Sequence, residues 1–222
     1  MTALALLIAT VVVAPAIERD AAVAEVTSAM REGRDREAIV ALQRLKARFP
    51  DDDDHALWQL GIVTLAATIA EQRQVNTQLA LLATSLRSHG GAQALAQPFL
   101  EQWVAQLYAI GPGCFSPGPW ENGADEGPRL LAQTSPDPAT RAFAFFVLGE
   151  LHAWRMRDGD AAAARAAYNK AVAAAPTTTW AARARACLAD DLHDCGRKGN
   201  GFTPTIASTR EAVASAISPT LE

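Results

Sequence analysis

The sequence predicts an all-α protein made of antiparallel helical hairpins, and two observations predict this class. The first is composition: in a chain of 222 residues that is 50% hydrophobic, alanine is abundant, aromatic residues make up 6%, and β-branched runs are few beyond the N-terminal segment. This balance favours closely packed helices over sheets. The second is an internal repeat, in which two helix-length segments 126 residues apart carry one pattern.

Five positions match between the two copies of the repeat. They are Gly33, Ala38, Leu42, Leu45 and Pro50 in the first copy, and Gly159, Ala164, Tyr168, Ala171 and Pro176 in the second. The three inner positions of each copy follow the spacing that places residues on one face of an α-helix. The glycine opens the preceding turn and the proline closes the helix. Each helix is therefore expected to bury one side.

These segments resemble tetratricopeptide repeats. The pattern Gly-Asp-x3-Ala-x3-Tyr-x2-Ala-x4-Pro at 159–176 is similar to the second helix of that repeat. Phe145-x2-Leu148-Gly149-x2-His152 is similar to the first helix, and a Leu-x2-Leu-Gly sequence at 57–61 has the same form. The resemblance covers residues 19–70 and 139–190 and implies a short, stacked α-solenoid.

The resemblance also implies a function, because the first helices of such hairpins line a concave surface that holds an extended peptide or a partner helix. On that geometry, four residues are candidates for groove-facing contacts with a partner: Arg141, Glu150, Arg183 and Arg185. Lys46 and Lys170 lie on second helices, so the lysine clamp that some family members use for a terminal carboxylate is not expected. The resemblance thus implies a non-catalytic protein-binding scaffold without a cofactor.

The N-terminal segment, residues 1–16, has the features of an export signal. It contains no charged residue, has an apolar run too short to span a membrane, and ends in Ala14-Pro15-Ala16. The alternative is a buried first helix in a cytoplasmic protein. With export, the chain resembles periplasmic tetratricopeptide proteins of envelope assembly, and no membrane span would remain after the signal is removed.

Three cysteines bear on the compartment. In an oxidising compartment the closely spaced Cys187 and Cys195 are the expected disulfide, with Cys114 left over. The same region offers a second function class, a redox- or metal-associated module that uses Cys187, His193 and Cys195. A structural zinc site normally has a two-pair spacing, which is missing here, so no metal site is assigned.

Segments rich in glycine and proline, together with changes in composition, divide the sequence into five predicted parts. After the signal come helical hairpins at 17–110, a Gly/Pro-rich connecting loop at 111–137, a C-terminal hairpin with a following helix at 138–190, and a tail at 191–222. The tail contains a short helix that either packs as a cap or stays loose. A third function class, an enzyme with Cys114 in the loop as nucleophile, lacks a recognisable base.

Charge excludes one class of partner. The net charge is −4 and the sequence pI is near 5.6, so the chain has no general basic character with which to neutralise phosphates. Nucleic acid is therefore not expected as a partner, and a protein or a peptide is. The oligomeric state does not follow from the sequence.

Overall fold

The fold is that of a computed structural model, which describes residues 2–69, 72–89, 91–111, 120, 123–193, 195 and 207–217, with the backbone alone at 2–15, 72–73 and 207–209. These ranges contain ten α-helices and no strand, which confirms the all-α class. The helices are α1 (Thr2–Arg31), α2 (Asp35–Arg48), α3 (His55–Thr68), α4 (Gln72–His89), α5 (Gln93–Ile110), α6 (Glu126–Thr134), α7 (Pro138–Arg155), α8 (Asp160–Ala174), α9 (Thr179–Ala189) and α10 (Ala207–Ile217).

Consecutive helices pack on one another as hairpins. The pairs α1–α2, α3–α4 and α7–α8 are in contact, and α2–α3, α6–α7 and α8–α9 connect them. Helices two apart in the chain also meet, since α4 contacts α6 and α7 contacts α9. One apolar core runs through α1 to α7 and α10, and a smaller cluster lies between α7, α8 and α9.

The two repeat copies form α2 and α8, and each buries the face that its spacing predicted. The buried residues include Ala38, Leu42 and Leu45 on α2 and Ala164, Tyr168 and Ala171 on α8. The glycines before these helices, Gly33 and Gly159, have φ angles of +71° and +83°, in the left-handed region that favours glycine.

Gly149 allows the α8 residue Tyr168 to pack closely on α7. A Cβ atom at this position would lie 2.4 Å from Cε1 of Tyr168, well inside van der Waals contact. The glycine of the Leu-Gly pair therefore lets the Tyr168 ring pack directly on the α7 backbone.

The expected connecting loop at 111–137 contains a helix, α6. Its residue Leu130 is buried, and a Cβ on Gly127 would lie 2.8 Å from Cδ1 of Trp103. The glycine that suggested a loop therefore permits close packing of α6 on α5, and tertiary contact outweighs its low helix propensity. Cys114 lies outside the described residues.

The C-terminal helix α10 is packed, whereas a loose tail was one of the two expectations for this region. Val213 and Ile217, one turn apart, are both buried, and α10 contacts α3. The Arg210 Nη2 atom donates to Oδ1 of Asp35 at 2.6 Å and to the Met30 carbonyl at 2.8 Å. These contacts anchor α10 beside the first hairpin.

The N-terminal segment is part of one continuous helix, since α1 begins at Thr2 and ends at Arg31. A signal peptide and a core helix are both helical, so the export signal at 1–16 stays a prediction. Across the described residues, no helix combines the length and the apolar character needed to cross a membrane.

Candidate partner-binding groove

A pocket of about 280 Å³ opens between the end of α5 and the helices α7 and α9, and we call it the α7–α9 groove. Its lining combines aromatic, charged and sulfur-containing side chains: Tyr108, Phe146, Glu150, Arg183, Ala186, Cys187, Asp190 and Cys195. Residues four apart on a helix share a face. Phe146 and Glu150 are such a pair on α7, and Arg183 and Cys187 are another on α9, which is why both helices contribute to one opening.

Four aromatic rings, which we call the aromatic floor, border the α7–α9 groove. Tyr108 and Phe146 line the pocket itself, and Phe143 and Trp180 pack against these rings. The Trp180 ring centroid lies 4.7 Å from that of Phe143 and 5.5 Å from that of Phe146. The Tyr108 ring meets Trp180 edge-on at 5.9 Å and Phe146 at 5.8 Å. Tilted and edge-on contacts are the arrangements that aromatic pairs prefer, so the four rings hold one another in place.

Arg183 lies over this floor. Its Cζ atom is 5.6 Å from the Trp180 ring centroid and 5.9 Å from that of Phe146, and Nη1 donates to the Tyr108 hydroxyl oxygen at 3.0 Å. The side chain is exposed, and within the described ranges no carboxylate forms an ion pair with it. The guanidinium is thus oriented by the ring contacts and by one hydrogen bond, and Arg183 lines the groove.

The Tyr108 hydroxyl stays protonated at neutral pH. Burial raises the pKa of Tyr108, and although the charge of Arg183 acts in the opposite direction, the net pKa is above the usual value. Tyr108 therefore accepts from Arg183 and retains its own proton.

Glu150 lies at the base of the groove and is only 4% exposed. The Tyr168 hydroxyl donates to its Oε1 atom at 2.7 Å. Burial first, and then the charge of Glu150, raise the pKa of Tyr168, so this phenol keeps the proton that it donates. Because a buried carboxylate needs such donors, the hydrogen bond from Tyr168 to Glu150 joins α8 to α7 at the base of the groove.

A disulfide closes one side of the groove. The Sγ atoms of Cys187 and Cys195 are 1.98 Å apart, and the Leu192 amide donates to the Cys187 carbonyl at 3.0 Å. The chain that follows α9 is thereby held against the groove. The structure joins the two cysteines that the sequence singled out as a pair.

The same corner contains a potential metal-ligand group. Ligand atoms of Glu150, Cys187 and Cys195 lie within 4.8 Å of one another. His193, which the sequence suggested as the third member, is exposed and outside this group, and Glu150 takes its place. Since metals bind thiolates, these cysteines are unsuited to a metal while the disulfide is intact.

The four predicted partner-binding residues separate into two sets. Glu150 and Arg183 line the groove, whereas Arg141 and Arg185 do not. Arg141 donates to the carbonyls of Ser135 and Pro136, both at 3.0 Å, and Arg185 donates to the Pro176 carbonyl. Arg183 and Arg185 differ because residues two apart on a helix point about 200° from one another.

The sequence did not identify Tyr108 and Phe146 as groove residues, or Trp180 as the ring that packs against both. The available signal was an aromatic residue one helical turn from a predicted groove residue, as Phe146 is from Glu150. No such signal pointed to Tyr108, because this residue lies on α5, 75 positions before Arg183 in the chain.

Comparison with known proteins adds no relative to this description. No protein-family model matches the chain, and neither the curated proteins nor the solved structures contain a significant match to it.

Proposed function

We propose that this chain is a non-catalytic scaffold that binds a peptide or a partner helix in the α7–α9 groove. The observation that carries the proposal is Arg183, which is exposed, held over an aromatic floor, and without an ion-pair partner in the described part of the chain. Aromatic residues and arginine are the types that contribute most to binding at protein interfaces.

The resemblance to tetratricopeptide repeats supports the same surface. In that family the first helices of successive hairpins line the concave face, and α7 and α9 correspond to successive first helices here. The chemistry of the groove then selects the ligand. An acidic side chain would pair with Arg183, and a neighbouring apolar side chain would cover the rings of Phe146 and Trp180.

Selection from a displayed library of random peptides tests this proposal. We expect the selected peptides to share an acidic residue beside an apolar one, because both halves of the groove then contribute. Arg183→Ala should weaken binding of a selected peptide about tenfold or more, since it removes a charge-assisted hydrogen bond.

Arg185→Ala is the matched control, because it removes the same charge from the same helix on another face. Peptides that bind both variants equally well would count against the groove. A photo-crosslinking residue at the exposed groove position Ala186, compared with one at Ala162 on α8, would then locate the bound peptide directly.

We place the scaffold outside the cytoplasm, in cell-envelope assembly. The support is the uncharged segment at 1–16 together with the disulfide, which is a feature of oxidising compartments. N-terminal sequencing of the protein recovered from an exporting host should find a mature chain that starts after Ala16. Recovery of an intact N-terminus from the cytoplasm would contradict this placement.

A second candidate function is a redox-dependent metal module. It is favoured by one observation, the convergence of Glu150, Cys187 and Cys195 in one corner of the groove. After a dithiol reduces the disulfide, two thiolates and one carboxylate would be available to Zn²⁺.

Zinc titration before and after reduction separates the two functions. The metal module requires stoichiometric binding by the reduced protein alone, and this binding should be lost in Cys187→Ser. The scaffold requires that peptide binding be unchanged when zinc is chelated. Reduced protein that binds no zinc would remove the second candidate.

A further inference from the structure

A second pocket, separate from the α7–α9 groove, lies between α2, α3 and α4. It has a volume of about 320 Å³, and we call it the Lys46 pocket. Its lining is rich in amide side chains and contains one lysine: Gln43, Lys46, Ala47, His55, Gln59, Ile62, Gln78 and Leu81. Neither the proposed peptide groove nor the repeat pattern requires this combination.

Lys46 carries a positive charge that the described part of the chain does not balance. Its ammonium donates to Oε1 of Gln59, and no carboxylate in the described ranges forms an ion pair with it. Burial lowers the pKa of Lys46 to about 8. The pKa of His55 is lowered as well, first by burial and then by the charges of Lys46 and His89, against a smaller opposing effect of Asp52. Among the lining side chains, Lys46 therefore supplies the positive charge of the pocket.

Hydrogen bonds fix the orientation of the Gln59 and Gln78 side-chain amides near Lys46. An ammonium group only donates, so Gln59 must turn its oxygen to Lys46 and its Nε2 group away. That Nε2 group donates to Oε1 of Gln78 at 2.8 Å and to the Gln78 carbonyl at 3.1 Å. Gln59 is completely buried, which locks this arrangement. The Gln78 Oε1 atom is thus used as an acceptor, and Gln78 lines the same pocket as Lys46, so its Nε2 group can donate to a ligand there.

We propose that the Lys46 pocket binds a carboxylate carried by a short apolar group. The ammonium and the Gln78 amide supply charge and N–H donors for a planar monoanion. Leu81, which is 48% exposed, and Ile62 supply an apolar wall for the attached group. One lysine and no arginine line the pocket, so a dianionic phosphate would find too little positive charge.

The lysine content of the chain allows a direct test on the full-length protein. There are three lysines, Lys46, Lys170 and Lys198, so an NMR spectrum of protein labelled at lysine Cε resolves each of them. We expect the Lys46 signal to titrate near pH 8 in the free protein. Addition of N-acetyl-leucine should shift this signal saturably and raise its titration midpoint, while the signals of Lys170 and Lys198 stay unchanged.

N-acetyl-leucine amide is the matched control ligand, since it lacks only the charge. We expect it to bind about tenfold or more weakly. Equal binding of acid and amide would overturn the carboxylate assignment, and so would tighter binding of inorganic phosphate. A Lys46 signal that does not respond to millimolar carboxylate would overturn the site itself.

Two variants complete the test. Lys46→Gln should abolish binding of N-acetyl-leucine measured by isothermal titration calorimetry, and Lys170→Gln, which changes a lysine on another helix, should leave the binding intact. Should Lys46→Gln fail to fold, the native titration above still decides the question. Peptides that end in leucine, with a free or an amidated C-terminus, then distinguish the sources: stronger binding of the free-ended peptide than of N-acetyl-leucine indicates a protein chain end, and weaker binding indicates a small molecule.

Discussion

The close contact between Gly149 on α7 and Tyr168 on α8 predicts that a larger residue at position 149 destabilises the protein. A Cβ atom added at Gly149 would lie 2.4 Å from Cε1, 2.5 Å from Cδ1 and 2.8 Å from Cζ of Tyr168. The ring is completely buried, and its hydroxyl is bonded to Glu150 at 2.7 Å. Tyr168 therefore has no room to swing aside without breaking that hydrogen bond.

Three effects determine the change in the free energy of unfolding of Gly149→Ala: one stabilises the variant and two destabilise it. Alanine is favoured over glycine in a helix by about 1 kcal/mol. Overpacking a core costs about 1–3 kcal/mol, and loss of the Tyr168–Glu150 hydrogen bond would add about 1–3 kcal/mol because the carboxylate is buried. The sum of these effects predicts that Gly149→Ala lowers the free energy of unfolding by about 1–5 kcal/mol, with a central value of about 3 kcal/mol. At about 2–4 °C per kcal/mol for a chain of this size, the central value corresponds to a fall in Tm of about 6–12 °C.

Urea denaturation followed by far-UV circular dichroism measures this loss, and Gly61→Ala is the matched control. The nearest atoms to a Cβ at Gly61 are Cδ1 of Ile217 at 3.0 Å and Cδ1 of Leu42 at 3.1 Å, both at the ends of flexible side chains. That variant should stay within about 1 kcal/mol of the parent. The reasoning is refuted if Gly149→Ala is as stable as the parent protein, or if it is equally destabilising in a Tyr168→Leu background.

Three further predictions concern charge and covalent links. Relative to the parent, Lys46→Met should be favoured by about 1 kcal/mol more at pH 7 than above pH 10.5, a value reduced for partial exposure, since its loss of the hydrogen bond to Gln59 acts at both pH values. Since the folded-state pKa is about 8 and the unfolded value is near 10.5, the parent should regain this stability as the pH rises through that window, and a flat difference in urea melts would contradict it. Asp160→Asn should cost about 2–3 kcal/mol in thermal melts, because the buried carboxylate accepts from the Arg157 amide at 3.0 Å and from Nη2 of Arg155 at 3.1 Å, and its Oδ1 atom lies 2.7 Å from Nδ1 of His152. Burial acts to raise the pKa of Asp160, but hydrogen bonds from His152 and its neighbours outweigh it and lower the pKa, so the parent's advantage should disappear as the pH falls below about 4. Cys195→Ser opens a loop with a sequence separation of 8 to Cys187 and should cost about 2 kcal/mol in non-reducing urea melts, with no loss expected when the parent is measured reduced.

The helices with strong local signals could be predicted in advance. The spacing of Ala164, Tyr168 and Ala171 gave the buried face of α8, because a helix places residues three and four apart on one side regardless of its neighbours. The turn glycine Gly159 was equally readable, because its left-handed φ is a local requirement.

The α6 helix shows where local reasoning fails. Gly127 belongs to a segment rich in glycine and proline, and composition alone indicates a loop there. The helix forms because Leu130 is buried and because Trp103 occupies the space beside the glycine. Contacts with a distant residue are not encoded in the propensity of the segment itself.

The two pockets were harder still to predict from the sequence, because helices that are distant in the chain form them. Arg183 could be predicted as a groove residue because α9 was expected to be a first helix. Its hydrogen-bond partner Tyr108 could not be predicted, because it comes from another part of the chain. Lys46 was assigned to a second helix and set aside, and only the packing of α3 and α4 shows that it is half-buried beside Gln59 and Gln78.

The sequence by itself thus determined the helical class, the repeat, and the buried faces of α2 and α8. These properties depend on the periodicity of a single helix, which a short window of residues contains. Tertiary structure alone decided the docking of α10, the helix in the connecting segment, the aromatic floor under Arg183 and the amide chain at Lys46. Each of these joins residues far apart in the chain, and their proximity depends on how whole helices pack against one another.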